Sequence, residues 1–162
     1  MGCRRTAFLS HFAGDPRGVV TFDVILDANI IVSAQLVQHP LAPSFRLFEA
    51  SLGRALRNHI SEALREEYLD VLLRPAILRR HGLSPAEVRE LVDLVRHFSL
   101  EVAPPQAVAV APDARDQHLW DMLAAYPHLK LVTGDPPLVA SGDFPGRILS
   151  PRDFVDRFLA TE

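Results

Sequence analysis

Cysteine is almost missing from this chain, with Cys3 the one thiol. That excludes an internal disulfide and any metal site built on several cysteines, and it suits a reducing cytoplasm. The seven histidines form no HxH or HExxH pair, so their spacing predicts no zinc site. Lysine is as scarce: Lys130 stands alone and arginine carries the remaining positive charge. Arginine suits forked contacts to phosphate, although genome base composition produces the same bias. A net charge of −3 leaves no bulk basic surface. This counts against tight nonspecific binding to nucleic acid, but not against a nuclease whose local metal and arginines meet the phosphates. No apolar run is long enough to span a bilayer, so no membrane partner is expected. The opening residues lack the long apolar stretch of a secretory signal. MGCRRT formally meets a myristoylation pattern, with no other membrane signal beside it.

What is present is globular. Hydrophobic residues make up 48% and charged residues 23% of 162 residues, enough for the core of one ordinary domain. Residues 1–21, rich in Gly, Arg and polar side chains, read as a flexible leader, and 22–160 as a single domain. Short β-branched or apolar runs at 22–26, 55–60, 99–103, 129–133 and 146–149 read as strands. Helices are expected over 42–53, 61–73, 84–98, 116–126 and 150–160. Ser61, Ser84 and Ser150 serve as caps, and Pro75 ends the second of these helices. The stretch 103–114 is a Pro/Ala-rich connection. Strands alternating with helices predict an α/β fold with a parallel sheet covered on both faces, whose ligands gather at the carboxyl ends of the strands.

Two of those strands run into an aspartate: VIL into Asp27, and LVTG into Asp135. Each acid is also a plausible turn or cap residue. In the helix after Ser61 the apolar stripe is Leu64, Tyr68, Val71 and Leu72. Glu67 borders it, while Glu62 and Glu66 point toward solvent. As a boundary residue, Glu67 could equally snorkel outward. In the helix starting at residue 116 the stripe is Leu119, Trp120, Leu123 and Tyr126. Asp116 falls within it, where it could also serve as a first-turn acid aided by the helix dipole. An acid on a core-facing stripe is costly unless paired or bound to a cation. Four acids at one sheet edge repel one another, and hard ions such as Mg²⁺ or Mn²⁺, which prefer oxygen ligands, relieve that repulsion.

VILDANIIVSA (24–34), SEALREEYLDVLLRP (61–75), DQHLWDMLAA with LKLVTGD, and RILSPRDFVDRFL (147–159) together resemble the PIN domain. The likeness is closest to the branch that supplies toxins of toxin–antitoxin pairs. It implies a three-layer α/β/α sandwich with a central, mostly parallel sheet. It implies endoribonuclease activity on RNA dependent on Mg²⁺ or Mn²⁺, homodimers and a cognate antitoxin. Asp27, Glu67, Asp116 and Asp135 match the family's catalytic and metal-binding acids. Asn29 and Thr133 match supporting polar positions, although Asn29 also fits a cap or turn and Thr133 a bond to local backbone. The turn after the first strand carries Ala28 where a Thr is usual. Asp113 is placed to assist Asp116 or simply to sit in the preceding loop, and Arg115 to meet substrate phosphate.

A haloacid-dehalogenase phosphatase also carries an Asp after its first strand, but DANII lacks the second Asp and the Thr of DxDxT, and no lysine is well placed. A receiver domain fails because no acid pair precedes that Asp. A non-catalytic interaction module on the same fold is the remaining rival, and retention of all four acids argues against it.

Overall fold

The structure, a computed structural model, describes residues 21–160. The expected leader, together with Cys3 and the myristoylation pattern, falls outside these residues except for Thr21. Five strands, β1 (Phe22–Leu26), β2 (Leu56–Ile60), β3 (Leu100–Glu101), β4 (Lys130–Val132) and β5 (Ile148–Leu149), form one sheet. Its order is β3-β2-β1-β4-β5, and every pairing is parallel. β1 is central, and Val24, Ile25 and Leu26 are fully buried. A strand covered on both faces reads as a continuous apolar run for this reason. The chain is a three-layer α/β/α sandwich.

The helices are α1 (Ala28–Val37), α2 (Pro43–Leu52), α3 (Glu62–Leu72), α4 (Pro75–His81), α5 (Pro85–His97), α6 (Gln117–Ala125), α7 (Pro136–Val139) and α8 (Pro151–Phe154). α3 follows the cap expected at Ser61, whose hydroxyl accepts from Leu64 N–H. α5 opens with a full capping box between Ser84 and Glu87.

Two expectations need correction. Residues 28–34 form no turn but the start of α1. Asp27 caps this helix, and Ala28, Ile30, Ile31, Val32 and Ala34 are buried in it. β-branched Ile and Val disfavour helix weakly, and burial of this face outweighs that preference. Pro75 does not simply end α3, because it begins α4, where its missing N–H costs nothing. The last helix follows its expected Ser150 cap and runs to Leu159, α-helical over Pro151–Phe154 and π-helical over Val155–Leu159.

Beneath the carboxyl end of β1, buried side chains replace a sheet ladder. The β1–β2 pairing runs to Val24 opposite Asn58. Farther along, Leu26 N–H donates to the side-chain oxygen of the fully buried Asn58 at 2.9 Å. The Leu26 carbonyl accepts the hydroxyl of the fully buried Tyr68. On the other side, Asp27 N–H donates to the Val132 carbonyl at 3.0 Å. The peptide that joins Leu26 to Asp27 is thereby held between α3 and β4, and Leu26 is held by β2 as well.

Candidate metal centre

One open cleft of about 490 Å³ lies over the carboxyl ends of β1 and β4, and Asp27, Glu67, Asp116 and Asp135 all line it. Asp27 enters from the end of β1, Glu67 from α3, Asp116 from the start of α6 and Asp135 from the turn after β4. Glu66 is exposed, as helical phase predicts.

Asp27 is 5% exposed and both its oxygens are engaged. Oδ1 accepts from Ala28 N–H at 2.7 Å, which is the helix-capping role. Oδ2 accepts from the Thr133 hydroxyl at 2.7 Å and from Asn29 Nδ2 at 3.2 Å. Asn29 also accepts Gly134 N–H at 3.0 Å. Thr133 accepts Asp135 N–H at 3.1 Å, so it bonds local backbone and the distant acid at once. Asp116 and Asp135 each precede a helix, yet neither side chain accepts a capping hydrogen bond. Capping therefore does not account for their carboxylates.

The charges act on one another. Burial pushes the Asp27 carboxyl up to about 6 against the pull of the Thr133 hydroxyl, and the Glu67 and Asp116 charges raise it further. Burial likewise raises Asp116, with Glu67, Asp113 and Asp135 adding to the shift and His118 opposing it. His118 Nε2 lies 3.0 Å from Glu67 Oε2, an ion-pair distance if the imidazole is protonated. The two atoms are not aligned for a hydrogen bond, and Glu67 Oε2 is buried with no hydrogen-bond partner.

A buried carboxylate oxygen left without a hydrogen-bond donor, lining one cleft with the carboxylates of Asp27, Asp116 and Asp135, fits a hard divalent cation. Oxygen donors of this kind suit Mg²⁺ or Mn²⁺ better than softer ions.

Asp113 is committed elsewhere. It caps the 3-10 turn Ala114–Asp116 and grips Arg115, with Oδ2 at 2.7 Å from Nη2. The Arg115 guanidinium holds the Asp113 carboxyl down to about 2. Asp113 nonetheless lines the same cleft, accepts Asp116 N–H at its backbone carbonyl at 3.0 Å, and adds its charge to the shift of Asp116. Arg115 does line the cleft, half-neutralised by this partner.

Arg74 and Arg80 also line the cleft, and neither was anticipated. Glu67, Val71 and Arg74 follow one another at i, i+4 and i+7, so Arg74 was readable from the phase of α3. Arg80 was not, because its helix was unforeseen. The α1 face of Asn29, Val32, Ser33, Leu36 and Val37 was hidden for the same reason.

A second group also escaped the histidine spacing. Asp23, His59 and His128 come together with one ligand atom of each within 4.8 Å of the others. Parallel register brings β1 beside β2, and His128 precedes β4, so no local pattern announces the meeting.

A parallel sheet layered between helices, with a cleft at the carboxyl ends of its strands, defines the class as α/β proteins that bind ligands at that edge. A family model described as PIN domain matches residues 23–136, well over half of the sequence, and the chain belongs to the PIN-domain family. PIN domains are generally nucleases, and PIN nucleases use divalent metals. No curated protein and no solved structure matches the chain.

Proposed function

We propose that this protein is a divalent-metal-dependent endoribonuclease that hydrolyses RNA phosphodiester bonds. The observation that carries the reading is the shared cleft of Asp27, Glu67, Asp116 and Asp135, with Glu67 Oε2 buried and without a hydrogen-bond partner. In this reading the four acids hold Mg²⁺ or Mn²⁺. When bound, such an ion polarises a phosphoryl oxygen and lowers the pKa of water. Asn29 and Thr133 orient Asp27 and leave its charge facing the cleft. Arg115, with Arg74 and Arg80, meets the RNA backbone at the rim, supplying local positive charge on a chain of net charge −3. The likeness in sequence extends the reading to a toxin that acts in the cytoplasm, pairs with a cognate antitoxin and forms a homodimer.

The decisive assay offers the purified protein many structured and unstructured RNAs in Mg²⁺, Mn²⁺ or EDTA. Cleavage should need the metal, and Asp27→Asn, which removes a charge with almost no change in volume, should abolish it while circular dichroism stays unchanged. Equal cleavage in EDTA, or undiminished cleavage by Asp27→Asn, overturns the reading. For the toxin role, expression in a bacterial host should arrest growth, with the Asp27→Asn chain harmless and a neighbouring antitoxin reading frame protective. Growth unaffected by a demonstrably active nuclease would sink that part alone.

A further inference from the structure

Four residues before Asp27 on β1, roughly 13 Å back along the strand, Asp23 faces a different set of partners. His59 of β2 is 5% exposed, and its Nε2 lies 3.8 Å from Asp23 Oδ1. This is beyond a hydrogen bond. His128 is exposed in the turn entering β4, with its ring centroid 5.8 Å from that of His59.

We propose that Asp23, His59 and His128 form a second metal site, separate from the acidic cleft, which takes a borderline divalent ion of the zinc type. Two imidazole nitrogens and one carboxylate oxygen are a donor set zinc uses, with the fourth position left to water. The hard ions suited to the cleft prefer oxygen throughout, so the two sites select different metals.

The surroundings supply the outer support such a site needs. His59 Nδ1 lies 3.2 Å from the Arg57 carbonyl. A carbonyl only accepts, so Nδ1 carries the hydrogen in that bond and Nε2 keeps its lone pair on the Asp23 side. Burial lowers the pKa of His59 against the opposing pull of Asp23 and of the Arg57 and Val24 carbonyls, favouring the neutral ring a ligand requires. Arg57 holds the Asp23 carboxylate by both oxygens, at 2.7 and 3.1 Å, which orients it and leaves lone pairs free.

Donors around a tetrahedral zinc stand about 3.3 Å apart, given bonds of about 2.0–2.1 Å. His59 and Asp23 are within 0.5 Å of that spacing, since they stand 3.8 Å apart. His128, on an exposed turn, makes the remaining approach. The ion would tie β1, β2 and the entry to β4.

The test is Co²⁺ titration of the metal-free protein followed by visible absorption, because tetrahedral Co²⁺ absorbs far more strongly than octahedral Co²⁺. One equivalent should give an intense band that Zn²⁺ abolishes, and Zn²⁺ should raise Tm by several degrees. His128→Gln, at an exposed position, should keep the circular dichroism spectrum and weaken Co²⁺ binding at least tenfold. Asp27→Asn should leave the band unchanged. Zn²⁺-induced shifts of the His59 and His128 ring nitrogens in wild-type protein give the same reading without a variant. No intense band, unshifted ring nitrogens, or a band that survives His128→Gln and disappears in Asp27→Asn would overturn the proposal.

Discussion

Thr133 donates its hydroxyl to Asp27 at 2.7 Å across 106 residues of chain, joining the carboxyl ends of β1 and β4. The same oxygen accepts Asp135 N–H, so one buried hydroxyl positions two of the four acids. Thr133→Val keeps the shape and removes both bonds. We expect a loss of roughly 1–3 kcal/mol in stability, typical of a buried polar group left unsatisfied. RNA cleavage should fall roughly 10- to 100-fold, as when a metal ligand loses its outer support. Urea unfolding and kcat/KM measure the two effects, and a neutral outcome in both would refute the positioning role.

In the proposed metal site, Asp27 couples ion binding to pH. Its carboxyl is raised from 3.8 to about 6, chiefly by burial. Ligation requires the ionised form, so Mn²⁺ affinity should drop about tenfold per pH unit below that value. In metal-free protein the sign reverses. The folded state holds this proton more tightly than the unfolded chain, so its contribution to stability is full below pH 3.8 and is lost as pH rises through about 6. The loss is on the order of 1–3 kcal/mol. Urea unfolding in EDTA at about pH 4.5 and 7.5 should show this decline in wild type and not in Asp27→Asn. Groups common to both proteins cancel in that difference.

Adjacent glutamates should behave oppositely. Glu67 lines the cleft with one oxygen buried, while Glu66 is exposed. Glu67→Gln should weaken Mn²⁺ binding about tenfold or more, as loss of a ligand charge requires, and Glu66→Gln should leave it within error. Calorimetric titration of both variants decides, and equal behaviour would remove Glu67 from the ligand set.

Arginines at the rim should differ by their partners. Arg115 is bound to Asp113, whereas Arg80 makes no ion pair among the described residues while lining the same cleft. Arg80→Ala should reduce RNA affinity several-fold and flatten its dependence on salt, since a phosphate contact releases about one counterion. Arg115→Ala should have the smaller effect. Fluorescence anisotropy in EDTA, at two salt concentrations, separates the cases.

Local features made part of this site readable. Strands of alternating or continuous apolar character ran into Asp27 and Asp135, and helical phase distinguished Glu67 from Glu66. Serine caps marked the starts of α3, α5 and α8. Each depends on a period of two or 3.6 residues, which a short window of sequence contains. α1 was missed because Ile30, Ile31 and Val32 carry a weak strand preference that burial against the rest of the core overrides.

The sequence by itself determined the alternation of strands and helices, the acids at the strand ends and the face on which Glu67 lies. Only the tertiary structure decided that Asn58 and Tyr68 would hold the two backbone groups of Leu26, that Thr133 would reach Asp27, and that His59 and His128 would meet beside Asp23. The reason is physical. Periodicity is a property of neighbours along the chain, whereas these contacts depend on parallel register and on the order β3-β2-β1-β4-β5, set when distant segments bury their apolar faces in one core.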